Sequence, residues 1–532
     1  MDREFNLMDE PWIRVMLPDF TQKELSLTDV LLKAHEIRDL AGELPAQDTA
    51  VLRLLLAVLH TVFSRSDENG DAYEIEEPDE ALRRWGALWN EGSFPEIPVR
   101  RYLEEQHDRF WLFDPERPFF QVPGIAGTDY TAAKLNGALS ESGNKTRLFP
   151  PCAGEVKGTL SYAEAARWLL FVNGYDDTSA KPKQKGLPSP GAGWLGKIGA
   201  VYAVGDNLFE TLMLNLTFLM DGKLCWEEGV PVWESETPKA GERTEIPLPD
   251  NQPELLTLQS RRLLLKREGG AVTGYTLLGG DFFPRENAFA EQMTVWRPIT
   301  DKNRQITGYQ PKRHDKSRQM WRDFAAFAAQ DEGGKRPGVV EWAAVLKNNR
   351  LLPKNSLLRL RITGVQYGDK DFFITDEFSD SLEFNAGLLT DAGRVWQKFA
   401  LVEIELCGKI ARIVGDLADD LEKASGGGGS AASRAREQFY YRLDVPFREW
   451  LRTLDPGQGT PARDERRKAW RLKVKAIAAA LGKEYMAQAG EAAFAGRTLT
   501  EDGKERRYSA PEAFNFFIYR LNKIINGRDA EQ

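Results

Sequence analysis

Cysteine and histidine are scarce in this chain of 532 residues, with three of the first and four of the second. Cys152, Cys225 and Cys407 are odd in number and far apart, which excludes a disulfide framework and a Cys-x-x-Cys zinc knuckle. His35 opens the string HEIRD, which lacks the second histidine that a helical zinc-protease motif places four positions on. Neither a metal site nor a cofactor is expected. Long apolar runs are lacking too: none approaches the roughly 20 residues that cross a bilayer. The acidic opening MDREFNLMDE is no signal peptide, so the expected setting is the cytoplasm, with no membrane partner. Positive charge is in deficit, with 71 Lys and Arg against 80 Asp and Glu. That balance argues against a freestanding nucleic-acid binder, whose affinity rests on clustered cations that neutralise phosphates. Catalytic signatures are absent as well, including the Gly-x-Ser-x-Gly elbow and the Gly-x-x-x-x-Gly-Lys-Ser/Thr phosphate loop. The acids of RDLAGELPAQD, Arg38 to Asp48, open a helical pattern and read as caps and dipole partners. No enzymatic role is expected.

The length calls for two or three domains. From Leu388 to Lys423, apolar residues at Trp396, Phe399, Val402, Leu406, Ile410, Ile413, Leu417 and Leu421 keep helical spacing with one buried stripe. The stretch ASGGGGSAAS, Ala424 to Ser433, then reads as a hairpin connection, a disordered loop or an inserted linker. A second helical pattern carries Phe439, Leu443, Phe447, Trp450 and Leu454, with Pro446 as a kink or early break. A third carries Trp470, Val474, Ile477, Leu481 and Tyr485. The fourth starts beside Ser509 and Pro511 and carries Phe514, Phe517, Leu521 and Ile524. Helices in series with one apolar face each predict a C-terminal four-helix bundle over 381–532.

Residues 1–380 read as a mixed α/β domain with long loops, so the whole chain is α+β. Helical patterns at Ala46 to Phe63 and Asn207 to Met220 alternate with strand patterns at Arg109 to Asp114, Arg261 to Arg267 and Leu357 to Gly368. Pro/Gly-rich stretches at Asn144 to Gly158, Asp176 to Gly199 and Trp233 to Gln252 are long enough to suggest function. The segment Trp296 to Phe324 is locally basic, interleaved with Trp296, Tyr309 and Trp321. It reads first as a solvated surface.

In PSPGAGWLGKIG, Gly191, Gly193 and Gly196 stand in Gly-x-Gly-x-x-Gly spacing. A dinucleotide fingerprint needs an apolar strand before its first glycine. Here TSAKPKQKGLPSP precedes it, so a nucleotide-dependent oxidoreductase is the weaker reading. Glycines let a backbone lie against a ligand, and Lys181, Lys183, Lys185 and Lys197 flank them, which suits a polyanion. A plain surface connection in a purely structural scaffold also fits the spacing.

Several blocks carry a family likeness. FNLMDEPWIRV (Phe5 to Val15) and LSLTDVLLKAHEIRDLAGELPAQDTAVLRLLLAVLH (Leu25 to His60) resemble the CasA family, the large subunits of the type I-E CRISPR surveillance complex Cascade. DPERPFFQV (Asp114 to Val122), GWLGKIGAVYAVGDNLFETLMLNL (Gly193 to Leu216) and EQFYYRLDVPFREWL (Glu437 to Leu451) fit the same family, so the likeness spans nearly the whole chain. The resemblance implies a non-catalytic subunit at the 5′ handle of the guide crRNA, among the other Cascade subunits. Such a subunit inspects double-stranded DNA for the protospacer-adjacent motif, helps open the duplex, and recruits the helicase-nuclease after R-loop formation.

The same resemblance assigns residues. A glycine loop in the minor groove corresponds to Ser189 to Gly193, with Ser189, Gly191 and Gly193 as DNA-binding positions. The minor groove offers a degenerate code, which a close-fitting backbone can read permissively. A hairpin wedge corresponds to QYGDKDFF, Gln366 to Phe373, with Gly368, Asp369 and Lys370 at its tip. Family members often carry Gln where this chain has Asp369, and a carboxylate is repelled by phosphates, which favours Lys370 as the contact. A basic minor-groove contact corresponds to PRENAF, with Arg285 or Asn287. The loop Asn144 to Gly158 corresponds to the anchor on the guide handle and the neighbouring subunit, through Leu148 and Phe149.

Overall fold

The computed structural model describes residues 3–136, 158–178, 186–224, 230–235, 241–328, 334–501 and 504–527. Leu148, Phe149 and the lysines at 181, 183 and 185 lie outside them. The chain forms two compact units. The first comprises residues 1–317, 329–352 and 358–381; the second comprises 318–328, 353–357 and 382–532.

In the first unit the central element is helix α1 (Pro45–Arg65), buried from Ala46 to Phe63 except at Asp48. Among the described residues it is the one helix long and apolar enough to cross a membrane, and 94% of its most apolar window is buried inside the unit. Gln47, Asp48, Arg53 and His60 interrupt it, so it is not one continuous apolar run. Arg53 is satisfied inside by a two-pronged ion pair to Glu291, at 2.8 and 2.9 Å.

Helix α2 (Tyr162–Tyr175) packs beside α1 and starts at a reciprocal capping box between Ser161 and Glu164. Its Arg167, 1% exposed, donates to the Trp12 carbonyl, Glu24 and Glu43, tying the N-terminal strands to the core. Strand β1 (Ala200–Val204) is buried throughout, and the helix after it is shorter than its pattern suggested, ending at Asn215. There the Asn215 side chain bonds both the N–H and the carbonyl of Ala203, and the chain turns into a short strand at Leu219–Met220.

Two antiparallel hairpins come next along the chain: β2 (Arg261–Glu268) with β3 (Ala271–Gly279), and β4 (Trp296–Thr300) with β5 (Ile306–Pro311). Strand β6 (Leu357–Tyr367) pairs antiparallel with β1 on one side, Thr363 opposite Ala200, and with β7 (Ile374–Asn385) on the other. The β6–β7 connection is the turn Gly368 to Phe373.

In the second unit, four long helices form the α-helical part: α3 (Arg394–Ser425), α4 (Ala432–Arg452), α5 (Thr460–Gln488) and α6 (Ala510–Ile525). Pro446 neither ends nor breaks α4, which runs on through it to Arg452. Val402 leaves the expected apolar stripe and is exposed, while Glu403 is fully buried and paired with Arg471 at 2.7 Å. The Gly/Ser stretch is an ordered hairpin connection. Glu422 accepts from the N–H groups of Ser430 and Ala431, and Asp419 accepts from Ala432, so two carboxylates on the end of α3 cap the start of α4. A two-stranded hairpin, Arg497–Glu501 with Lys504–Tyr508, precedes α6 and had no signal in the helical reading. Trp321, from the separate 318–328 segment, stacks on Phe447 at 4.2 Å and donates to Asp444 at 3.0 Å.

Candidate nucleic-acid interface

The three glycines of the motif turn out to do different jobs. Gly193 and Gly196 are packing positions. A Cβ on Gly193 would lie 2.6 Å from the Gly174 carbonyl carbon at the end of α2, and one on Gly196 would lie 2.9 Å from the Tyr367 ring. Gly193 is buried, so this expected groove-facing residue is instead held inside, its N–H bonded to the Asp176 carbonyl at 2.9 Å. Trp194 anchors the loop at its C-terminal end. Its indole N–H donates to Glu291 at 2.7 Å, the carboxylate already gripped by Arg53, and its ring lies against Phe283. The glycine loop is thus bolted to α1 through a buried Arg–Glu–Trp relay.

What remains outside is Ser189, exposed, and Gly191, half-buried with φ of +66°. Residues with a Cβ rarely take that conformation. The loop is held from below by arginines: Arg261 donates to the Gly191 carbonyl at 2.6 Å and to Asp176, and Arg243 donates to the Pro188 carbonyl while stacking on Phe282. Among described residues no strand leads directly into Gly191, as residues 186–190 form turn and loop. That removes the geometry a dinucleotide site needs.

The hairpin turn lies beside this loop. Thr178, where the loop leaves α2, bonds the carbonyls of Lys370 and Asp371 through its hydroxyl, each at 2.9 Å, and its N–H reaches Asp371 as well. The Tyr367 hydroxyl, under Gly196, donates to the Tyr175 carbonyl at 2.5 Å. Lys370 and Asp371 are both left-handed, with φ of 55° and 59°. Arg313 secures that strained pair with a bidentate bond to the Asp371 carboxylate at 2.8 and 2.9 Å, its guanidinium lying over the Tyr367 ring.

Gly368 is not left-handed. It sits where a Cβ would press on Phe373. Asp369 and Lys370 are exposed, and so is Phe372, an aromatic left 46% accessible at the tip.

Arg285 is exposed and close enough to the loop for its charge to act on Lys197. Asn287, also exposed, is left-handed at φ 57°. Its side-chain oxygen accepts from the Tyr309 N–H and its own N–H donates to the Tyr309 carbonyl, so it pins the 284–289 segment to β5. Of the two, Arg285 is the one whose head is available to a ligand. The aromatics of the basic segment are structural: Trp296 and Trp321 are buried, and Tyr309 is half-buried against Phe289.

Glycine loop, hairpin turn and Arg285 therefore converge in the first unit, while Leu148 and Phe149 lie outside the described residues. Sequence reasoning missed Arg313, Asp371 and Phe372. The doubled aromatic in GDKDFF was the available signal, since a tight turn cannot cover two adjacent phenylalanines alike: Phe373 is half-buried and Phe372 exposed.

The family model for CRISPR-associated protein Cse1 matches residues 6–481. The CRISPR-associated protein CasA/Cse1 of Thermus thermophilus is 32% identical over 351 residues, covering 65% of this chain and 64% of that relative's own length. The crystal structure of Thermobifida fusca Cse1 superposes with a TM-score of 0.83 at 32% identity, covering 98% of both chains. A chain of a CRISPR RNA-guided surveillance complex shares the fold at a TM-score of 0.64 and 17% identity, covering 99% of this chain and 100% of that one.

Proposed function

Because the chain belongs to the CRISPR-associated Cse1 (CasA) family, we propose that it is the large subunit of a CRISPR Cascade complex and inspects duplex DNA for the protospacer-adjacent motif. One observation carries the reading: a side-chain-free, left-handed backbone at Gly191 stands next to a rigid turn that presents Lys370 and Phe372. The Ser189–Gly191 backbone enters the minor groove, where a shallow code suits a reader without side chains. Lys370 and Arg285 neutralise phosphates. Phe372 is the wedge, since apolar side chains inserted at a base step part the stack at a cost of a few kcal/mol that new contacts offset. Asp369, exposed next to Lys370, is a carboxylate that phosphates repel, so it makes no phosphate contact in this reading. Arg313, Asp371 and Thr178 position the wedge without touching DNA.

The subunit carries out no chemistry of its own in this reading. It acts in the cytoplasm, and the complex tethers it to its target, so local cations suffice despite a net charge of −9. Base pairing with the guide reads the remaining sequence. Anchoring at the guide's 5′ handle through Leu148 and Phe149, and recruitment of a helicase-nuclease, belong to the proposal on resemblance.

The test assembles the guide-loaded complex with and without this subunit and measures binding to duplexes with a correct or a scrambled adjacent motif. Discrimination that requires the subunit, and falls in Gly191→Val and Phe372→Ser, supports the reading. Equal binding in all four combinations removes it.

A further inference from the structure

Lys197 ends the short helix after the glycine loop, and its side chain runs back beneath Gly191. Its Cε and Nζ lie 3.5 and 3.8 Å from where a Cβ on that glycine would stand. A side chain at 191 would cover the ammonium, whereas glycine leaves it open on that side. Arg261, Arg243, Arg285 and Arg313 surround it closely enough for each to disfavour its charge. The carboxylates paired with two of these arginines are already engaged, Asp176 by Arg261 and Asp371 by Arg313. Among the described residues Lys197 has no hydrogen bond or ion pair of its own. A largely desolvated ammonium amid like charges is a cost to the fold. An anion arriving from solvent turns that cost into attraction.

We infer that Lys197, with Arg285 at the rim, seats one backbone phosphate of duplex DNA beside the adjacent motif, and that the bare backbone at Gly191 is what gives the phosphate access. The inference rests on the proposed groove-facing role of the glycine loop. Arg261 and Arg243 hold the loop over the seat through the Gly191 and Pro188 carbonyls. Burial first, and the four arginines after it, bring the Lys197 pKa down to about 8. The free seat is therefore partly neutral at mildly alkaline pH, and a bound phosphate recharges it.

The experiment uses the guide-loaded complex carrying wild-type, Lys197→Met or Lys197→Arg subunit. Duplexes carry single methylphosphonates at each phosphate around the motif. For Lys197→Met, binding should weaken about 10-fold for correct and scrambled motifs alike. The slope of log K against log salt should fall by about 1, the share of one phosphate contact. One methylphosphonate position should weaken binding in wild type and have no further effect in Lys197→Met. Between pH 7 and 9 wild-type binding should decline, while Lys197→Arg binds as tightly as wild type at pH 7 and does not decline.

An unchanged salt slope in Lys197→Met, or a wild-type scan with no sensitive phosphate beside the motif, overturns the inference. The scan on wild-type protein decides even if the methionine variant folds poorly. If motif discrimination by wild type survives while Lys197 proves silent, this inference falls and the proposed function stands. If wild type fails to discriminate, the function itself falls.

Discussion

Replacing each motif glycine by alanine in turn should separate the glycine that faces outward from the two that serve packing. Gly191→Ala forces a Cβ into a conformation at φ +66° but meets only the flexible end of Lys197 at 3.5 Å, an ordinary contact. The cost is the left-handed penalty, about 1–2 kcal/mol. Gly193→Ala drives a methyl to 2.6 Å from the Gly174 carbonyl carbon, which is backbone at the end of α2 and cannot swing away. Overpacking plus loss of the Gly193 to Asp176 hydrogen bond amounts to about 3 kcal/mol or more. Gly196→Ala pushes the Tyr367 phenol off the Tyr175 carbonyl and leaves both buried without partners, roughly 1–3 kcal/mol. Denaturant unfolding of the isolated subunit should rank Gly193→Ala as the most damaging. Duplex binding by the assembled complex at matched subunit occupancy should show motif-dependent loss for Gly191→Ala beyond what its stability accounts for. A Gly193→Ala protein as stable as wild type, or a Gly191→Ala complex with full motif discrimination, would refute the division of labour.

The same geometry sets further expected outcomes. Burial raises the Asp48 carboxyl from its ordinary value to about 7. Between about pH 4 and 7 the folded state thus holds a proton that the unfolded state has released, and stability falls as pH rises through that window. Asp48→Asn keeps an acceptor for the Gly42 N–H; it should be neutral near pH 4 and stabilising by about 4 kcal/mol at pH 8, and equal increments at both pH values would argue against it. Arg313→Ala should reduce strand opening, read from 2-aminopurine fluorescence beside the motif, more than it weakens initial duplex binding, because the turn at Lys370 and Asp371 loses its clamp; unchanged opening would show the clamp to be idle. Glu403→Ala should destabilise the helical unit by roughly 3 kcal/mol, since Arg471 loses its buried partner, with unfolding midpoints as the measure.

Much of this arrangement was legible from local pattern. The stripe Phe439, Leu443, Phe447 and Trp450 wrote α4 in advance, and Gly191 announced an unusual backbone. Pro446 misled because a single missing hydrogen bond does not outweigh a helix whose apolar face is fully buried. The hairpin before α6 escaped because Arg497–Glu501 and Lys504–Tyr508 carry only Leu499 and Tyr508 as apolar residues, too few to show an alternation. The site itself was only half visible. Ser189 and Lys370 stood out, but Arg313 meets Asp371 across 58 residues, and Gly193 differs from Gly191 in its backbone angles and in the approach of Gly174. Pairings of that kind are decided by tertiary folding and leave no periodic trace.

The second unit draws on three separate lengths of chain, and this bears on how the protein can be divided. A fragment begun at Leu382 omits the strip 318–328, so Phe447 loses the indole stacked on it and Asp444 loses a donor. Such a piece would bare an aromatic face to water and self-associate. Excising the helices by a single cut is therefore the wrong dissection: an autonomous version has to graft Trp321 and its neighbours back by a designed linker.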